Sequence, residues 1–191
     1  MADPNSIKKS GKNPIGMIFT MMMNPKAAID SGLSNFPWFV SVLISSLAFG
    51  TFFLQTGLDL YKTGQEAFAY VLIQLALGLA FGAVFIPLVG LLIWPLIKFK
   101  KGELKFTESI SLACLSYSGT LVYGIVGLIF SLALGWKTAL AFGATGVLWS
   151  MGPLMVGIRS ATKGDTVLAV IITTLVGAAI LFAWQALQII V

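Results

Sequence analysis

The stretch "AFAYVLIQLALGLAFGAVFIPLVGLLIWPLI", residues 67–97, carries no charged side chain, and "KFKKGELKF", residues 98–106, follows it at once. A run this long exceeds the ~20 apolar residues with which a helix crosses bilayer hydrocarbon. As a straight helix at about 1.5 Å per residue it would reach roughly 45 Å, so a tilted or kinked span is expected. Pro87 and Pro95 are the expected break points, because each removes a backbone donor.

The rest of the chain reads the same way. Hydrophobic residues make up 58% of the 191 and charged residues only 10%, against about 25% charged in a soluble domain. No water-soluble fold of this size hides that much apolar surface. Five segments have span length, at about 37–57, 68–97, 109–134, 138–156 and 166–191. The expected fold is all-α, a five-helix transmembrane domain over 37–191 preceded by a segment over 1–36. Ser34 in "SNFPWF" is an expected N-cap with Pro37 in the first turn; Glu108 suits the start of span three, and Asp165 or Thr166 the start of span five.

Within 1–36, "NPIGMIFTMMMNPKAAIDSG" is too short and too polar for a secretory h-region. It reads as an interfacial helix with Ile15, Ile18, Phe19 and Met22 toward acyl chains, or as a methionine-rich packing surface. Charge gives the orientation. Lys8, Lys9, Lys12 and Lys26 precede span one, Lys98, Lys100, Lys101 and Lys105 follow span two, and Arg159 and Lys163 follow span four. Ten of the twelve basic residues thus share one side, leaving Lys62 and Lys137 on the other. The positive-inside rule makes that side cytoplasmic and puts the C-terminus on the opposite face.

Every Asp, Glu, Lys and Arg can be placed in a loop or at a span end, histidine is absent from the chain, and Cys114 is the single cysteine. That argues against a proton-coupled transporter, a voltage sensor, an intramembrane hydrolase, a cysteine-rich metal site and an enzyme in general; no cofactor is expected. The glycines of "GATGVLWSMG" lie in an apolar helix and not after a strand, so no phosphate loop is read there. The +5 net charge is dispersed among loops, unlike the concentrated patch of a nucleic-acid binder.

Small residues recur at four-residue spacing: Gly78 and Gly82, Ala139 and Gly143, Gly146 and Ser150, and Ala169, Thr173 and Gly177. Such rows let helices approach closely, within one bundle or between copies in a homo-oligomer. On span three Ser116, Thr120 and Tyr123 stack on one face, with Gln74 and Gln55 near enough to meet them. They read as interhelical hydrogen bonds or as a polar cavity face for a neutral solute, which would make the chain a channel or transporter. Trp38, Trp94, Trp136 and Trp184 read as interfacial anchors and Trp149 as internally packed. Around Lys101-Gly102 the alternation of Phe99, Leu104 and Phe106 with lysines resembles a small hairpin. Its Lys98, Lys100, Lys101 and Lys105 are the candidate contacts for anionic lipid headgroups.

Taken together, "NPKAAIDSG" before span one, a long second span with a short basic loop, and "FTESISLACLSYSGTLVYGIVGLI" (residues 106–129) resemble the Yip domain family. The resemblance runs from about Asn24 onward and is best defined from "FTES" to "SYSG". The tyrosine-serine-proline pattern of eukaryotic members is replaced here by Ser118-Gly119-Thr120, and the short N-terminal segment resembles compact prokaryotic members. The resemblance implies a non-enzymatic membrane scaffold or adaptor, a small GTPase as a partner class, and a prokaryotic plasma membrane as its place.

Overall fold

In a computed structural model residues 13–190 are described, and among them every regular element is helical. Lys8, Lys9 and Lys12 lie outside the described residues, as does Val191. Two short helices, α1 (Pro14–Met23) and α2 (Pro25–Gly32), open the fold. An Asn-Pro pair starts each: the proline needs no intrahelical donor at the first position, and the asparagine side chain caps. Asn13 Oδ1 accepts from the Ile15 amide at 3.1 Å, and Asn24 Oδ1 from that of Ala27 at 3.2 Å. Met17 and Met21 of α1 are buried in the bundle core, whereas Ile15 and Phe19 are exposed.

Five longer helices are apolar enough to cross a membrane: α3 (Trp38–Lys62), α4 (Phe68–Phe99), α5 (Phe106–Leu134), α6 (Ala139–Ala161) and α7 (Thr166–Ile190). Their outward faces are apolar, with Leu132 at 72% and Phe182 at 76% exposure. Ser34 is not the cap of α3. It lies in a 3-10 turn, and Pro37 occupies the cap position without a side-chain bond. The helices extend beyond the apolar segments: α3 runs through Asp59 to Lys62 and α6 through Arg159 to Ala161, with these charged side chains in the last helical turns.

The break in α4 comes earlier than its prolines. Phe81–Phe85 form a wide π-type turn in which the Ile86 amide bonds the carbonyl of Phe81. Gly82 O thereby loses its usual donor, and Pro87 has no N–H to give Ala83 O. The chain widens ahead of Pro87 and then stays helical through Pro95. α5 bends at Tyr117, where the amide bonds Cys114 O at 3.2 Å in a tighter turn. α6 begins with another wide turn, Ala139–Ala144.

The small residues face neighbours within the bundle. A Cβ on Gly78 would meet Phe53 Cβ at 2.7 Å, and one on Gly82 would meet Ser46 Cα at 2.6 Å, so α3 and α4 are in backbone contact. Gly143 makes room for the Phe52 ring of α3, Gly146 for Thr120 of α5, and Gly177 for Met151 of α6. In lipid this packing takes the place of a hydrophobic drive between helices. The core it surrounds is aromatic: Phe49 lies 5.0 Å from both Phe81 and Tyr117 between ring centroids.

The residues read as a hairpin are instead a helix end. α4 continues through Phe99; the Lys101 amide bonds Lys98 O at 2.9 Å and the Gly102 amide bonds Ile97 O at 3.0 Å. That is a Schellman cap with Lys101 in the left-handed region, φ 57°. Alternation of apolar and basic residues arises here from a helix terminus followed by an extended link to α5, not from paired strands.

Candidate functional site

Two polar regions stand out against the apolar spans. The first is a seam of hydroxyls and amides in the middle of the bundle. Ser45 and Ser46 of α3 donate to the carbonyls of Gly82 and Leu79 at 2.8 and 2.9 Å, so the widened turn of α4 is held from the side. Gln55 of α3 donates to Gly124 O of α5 at 3.0 Å, in space left by Gly124 and Gly127. Ser109 of α5 donates to Gly90 O of α4 at 2.8 Å.

The face predicted on span three is divided by the bend at Tyr117. Ser116 is buried and donates to Leu112 O at 2.7 Å, one turn back in its own helix. Thr120 is drawn to α6: its hydroxyl lies 2.9 Å from Ser150 Oγ, which also accepts the Thr120 amide at 3.2 Å and lies 2.9 Å from Gly146 O. The bend frees that amide, and Ser150 supplies the acceptor the helix lacks. Tyr123 faces Trp149 at a ring separation of 6.2 Å. Gln74 is buried in α4 and donates to the Tyr70 hydroxyl at 2.7 Å. Gln55 thus reaches α5, one turn beyond Thr120, while Gln74 packs against Gly57 of α3. The reading of the sequence missed Ser45, Ser46 and Ser109 and took Ser150 only as a small packing residue; a serine within an apolar span was the available signal.

The second region comprises the two ends of the bundle. At one end the basic segments converge. Lys100 Nζ lies 3.1 Å from Asp165 Oδ2. Asp165 also accepts the Leu168 amide at 3.0 Å, which makes it the cap of α7. The Leu168 amide and then the Lys100 ammonium hold the Asp165 carboxyl below its usual range. Lys98 Nζ donates to Gly102 O at 3.3 Å. Lys105 lies 4.0 Å from Glu108, whose carboxylate accepts the Lys105 amide at 2.9 Å. Lys101 is exposed. Of the four candidate headgroup contacts, three are thus tied to neighbouring groups, and Lys101 points outward without a side-chain bond among the described residues.

At the other end Asp59 and Lys62, in the last turns of α3, grip the α5–α6 connection. Asp59 Oδ2 accepts the amides of Thr138 and Ala139, each at 2.8 Å, at the start of α6. Lys62 Nζ donates to the hydroxyl of Ser131 at 2.6 Å and to Trp136 O at 3.3 Å. A carboxylate at a helix start and an ammonium on orphan carbonyls at a helix end each complement the local dipole.

Trp38 and Trp136 are exposed near span ends, whereas Trp184 also makes contacts inside the bundle and Trp149 is not internally packed. Trp184 packs 5.0 Å from Phe52 and donates to Thr56 Oγ1 at 3.2 Å, so it joins α7 to α3. Trp149 is 51% exposed, because Gly119 and Gly152 leave its ring against α5 on one side and uncovered on the other. Among the described residues no three His, Cys, Asp or Glu side chains gather as metal ligands. Comparison of the chain with protein-family models, with curated proteins and with solved structures finds no match.

Proposed function

We infer that this chain is a non-enzymatic multi-pass membrane protein of the Yip domain type, a scaffold acting through lipid and protein contacts, with its basic end toward the cytoplasm. The observation that supports this is how the interior polar groups are used. Ser45, Ser46, Gln55, Ser109, Thr120 and Ser150 each bond a neighbouring helix. A solute passing along them would first have to break contacts worth about 0.6 to 2 kcal/mol apiece. The chemistry left for partners lies at the bundle ends. The Yip resemblance makes a small GTPase the partner class to test first at the basic end.

Flux measurement tests the reading. Liposomes containing the full chain should shrink and recover in glycerol or urea gradients at the rate of protein-free liposomes. Saturable, protein-dependent entry of either solute would replace the scaffold with a channel or transporter.

A further inference from the structure

We propose that a recess at the basic end, between α2, the last turn of α6 and the turn into α7, binds the phosphate of an anionic glycerophospholipid, with an acyl chain in the apolar groove beneath it. This rests on the reading of the chain as a membrane scaffold in contact with lipid, and it moves the headgroup site away from the lysines of residues 98–105.

The recess is lined by Lys26, Val156, Arg159, Ser160 and Gly164 and encloses about 320 Å³. Lys26 and Arg159 are exposed, and among the described residues neither side chain has a hydrogen bond or an ion pair. Lys100, by contrast, is occupied by Asp165 and Lys105 lies beside Glu108. The adjoining recess, which shares Ser160, mixes Lys163 with Glu103 and Glu108. Among the described residues the Lys26–Arg159 recess thus offers two free cations with a hydroxyl between helices and no carboxylate in its lining, the complement of a phosphodiester.

Lipid is favoured over free phosphate by what lies next to it. Val156 also lines a groove of about 470 Å³ formed with Met22 and Pro25 on one wall and Trp149, Gly152 and Pro153 on the other, within the size range of small-molecule sites. From Val156 to Leu148 the groove follows α6 for about 12 Å toward the middle of the span. Its depth comes from Gly152, where an added Cβ would meet nothing within 4 Å. A basic mouth at the membrane surface that continues into an apolar channel along a span matches one molecule with both parts.

The test uses the purified full chain in a zwitterionic detergent, titrated with phosphatidylglycerol, phosphatidylcholine or inorganic phosphate and followed by thermal shift and by lipid retention in native mass spectrometry. Phosphatidylglycerol should bind saturably, and the other two should not. Joint replacement Lys26→Gln with Arg159→Gln should weaken it about thirtyfold, whereas Lys98→Gln with Lys101→Gln should leave it unchanged. A Cβ at Gly152 enters open space, so Gly152→Leu places its side chain in the groove and should weaken phosphatidylglycerol binding while the lipid-free melting temperature holds. If the Lys98–Lys101 pair matters and the Lys26–Arg159 pair does not, the site is overturned but lipid contact stands. If inorganic phosphate binds as well as the lipid and Gly152→Leu has no effect, the lipid assignment is overturned. If no anionic lipid binds the wild-type chain, the scaffold's reliance on lipid contact falls with it.

Discussion

Ser45 of α3 places its hydroxyl 2.8 Å from the carbonyl of Gly82 in α4, where the wide turn has taken that carbonyl's usual donor away. The same hydroxyl lies 3.0 Å from Val42 O, so it bridges the two helices. Replacing Ser45 by alanine should lower stability by about 1 kcal/mol, read from unfolding in mixed detergent micelles. Gly82→Leu should abolish folding, because its side chain would have to enter the α3 backbone. A Ser45→Ala variant as stable as wild type would mean that the turn is held by packing alone.

The end of α4 offers an opposed pair. Lys101 is a non-glycine residue at φ 57°, a conformation that costs an L-residue about 1–2 kcal/mol. Lys101→Gly should therefore raise stability by about 1 kcal/mol. At the next residue Gly102→Ala should lower it, because an added Cβ would strike Ile97 and the Ala161 carbonyl of α6. Thermal unfolding of both variants in zwitterionic detergent separates the two effects. Equal shifts in one direction would contradict the cap.

These cases mark what could be read from residues alone. Five apolar runs of bilayer length were legible because burial in lipid leaves a signal at every position. Gly78 and Gly82 were legible as close-approach positions because only small residues permit backbone contact. The break in α4 was legible in kind but not in place: Pro87 removes a donor, and the helix adjusts one turn earlier, at Phe81–Phe85. The bend at Tyr117 left no mark, because no proline stands there and the compensating acceptor, Ser150, is remote in sequence. The residues from Lys98 to Phe106 misled because a helix end followed by an extended link alternates polar and apolar residues much as a strand does. The Lys26–Arg159 recess joins residues far apart in the chain, so no local pattern announces it.

Asp59 anchors the start of α6 from α3, with two amides on one carboxylate oxygen. Asp59→Ala leaves both donors without their acceptor and should cost about 1–2 kcal/mol, in the range of a lost helix cap. Asp59→Asn retains an acceptor and should cost less. Hydrogen exchange at the Thr138 and Ala139 amides checks this: both should speed up in the alanine variant. Unchanged exchange there would show that the start of α6 is held by other contacts.

Asp165 predicts a pH effect with a definite sign. Its carboxyl is held below the ordinary value of 3.8 by the Leu168 amide and by Lys100. The contribution is therefore complete above that value and is lost as pH falls through the lower, folded value. Asp165→Asn keeps an acceptor for Leu168 but loses the charge. The melting temperature difference between wild type and Asp165→Asn should be constant at neutral pH and should vanish as pH is lowered from about 5 to about 2. A difference that persists unchanged in acid would remove the Lys100–Asp165 pair from the account.

The central claim is a five-span bundle whose basic end faces the cytoplasm, and single-cysteine labelling in intact cells tests it most directly. Cys114 is fully buried and is replaced by serine. Glu103 on the α4–α5 link and Lys137 on the α5–α6 connection, both exposed, are each exchanged for cysteine in separate chains. A membrane-impermeant maleimide should label Lys137→Cys from outside, and Glu103→Cys only after the membrane is opened. Labelling of Glu103→Cys in intact cells would contradict the orientation, and labelling of both would contradict the single crossing made by α5 between them.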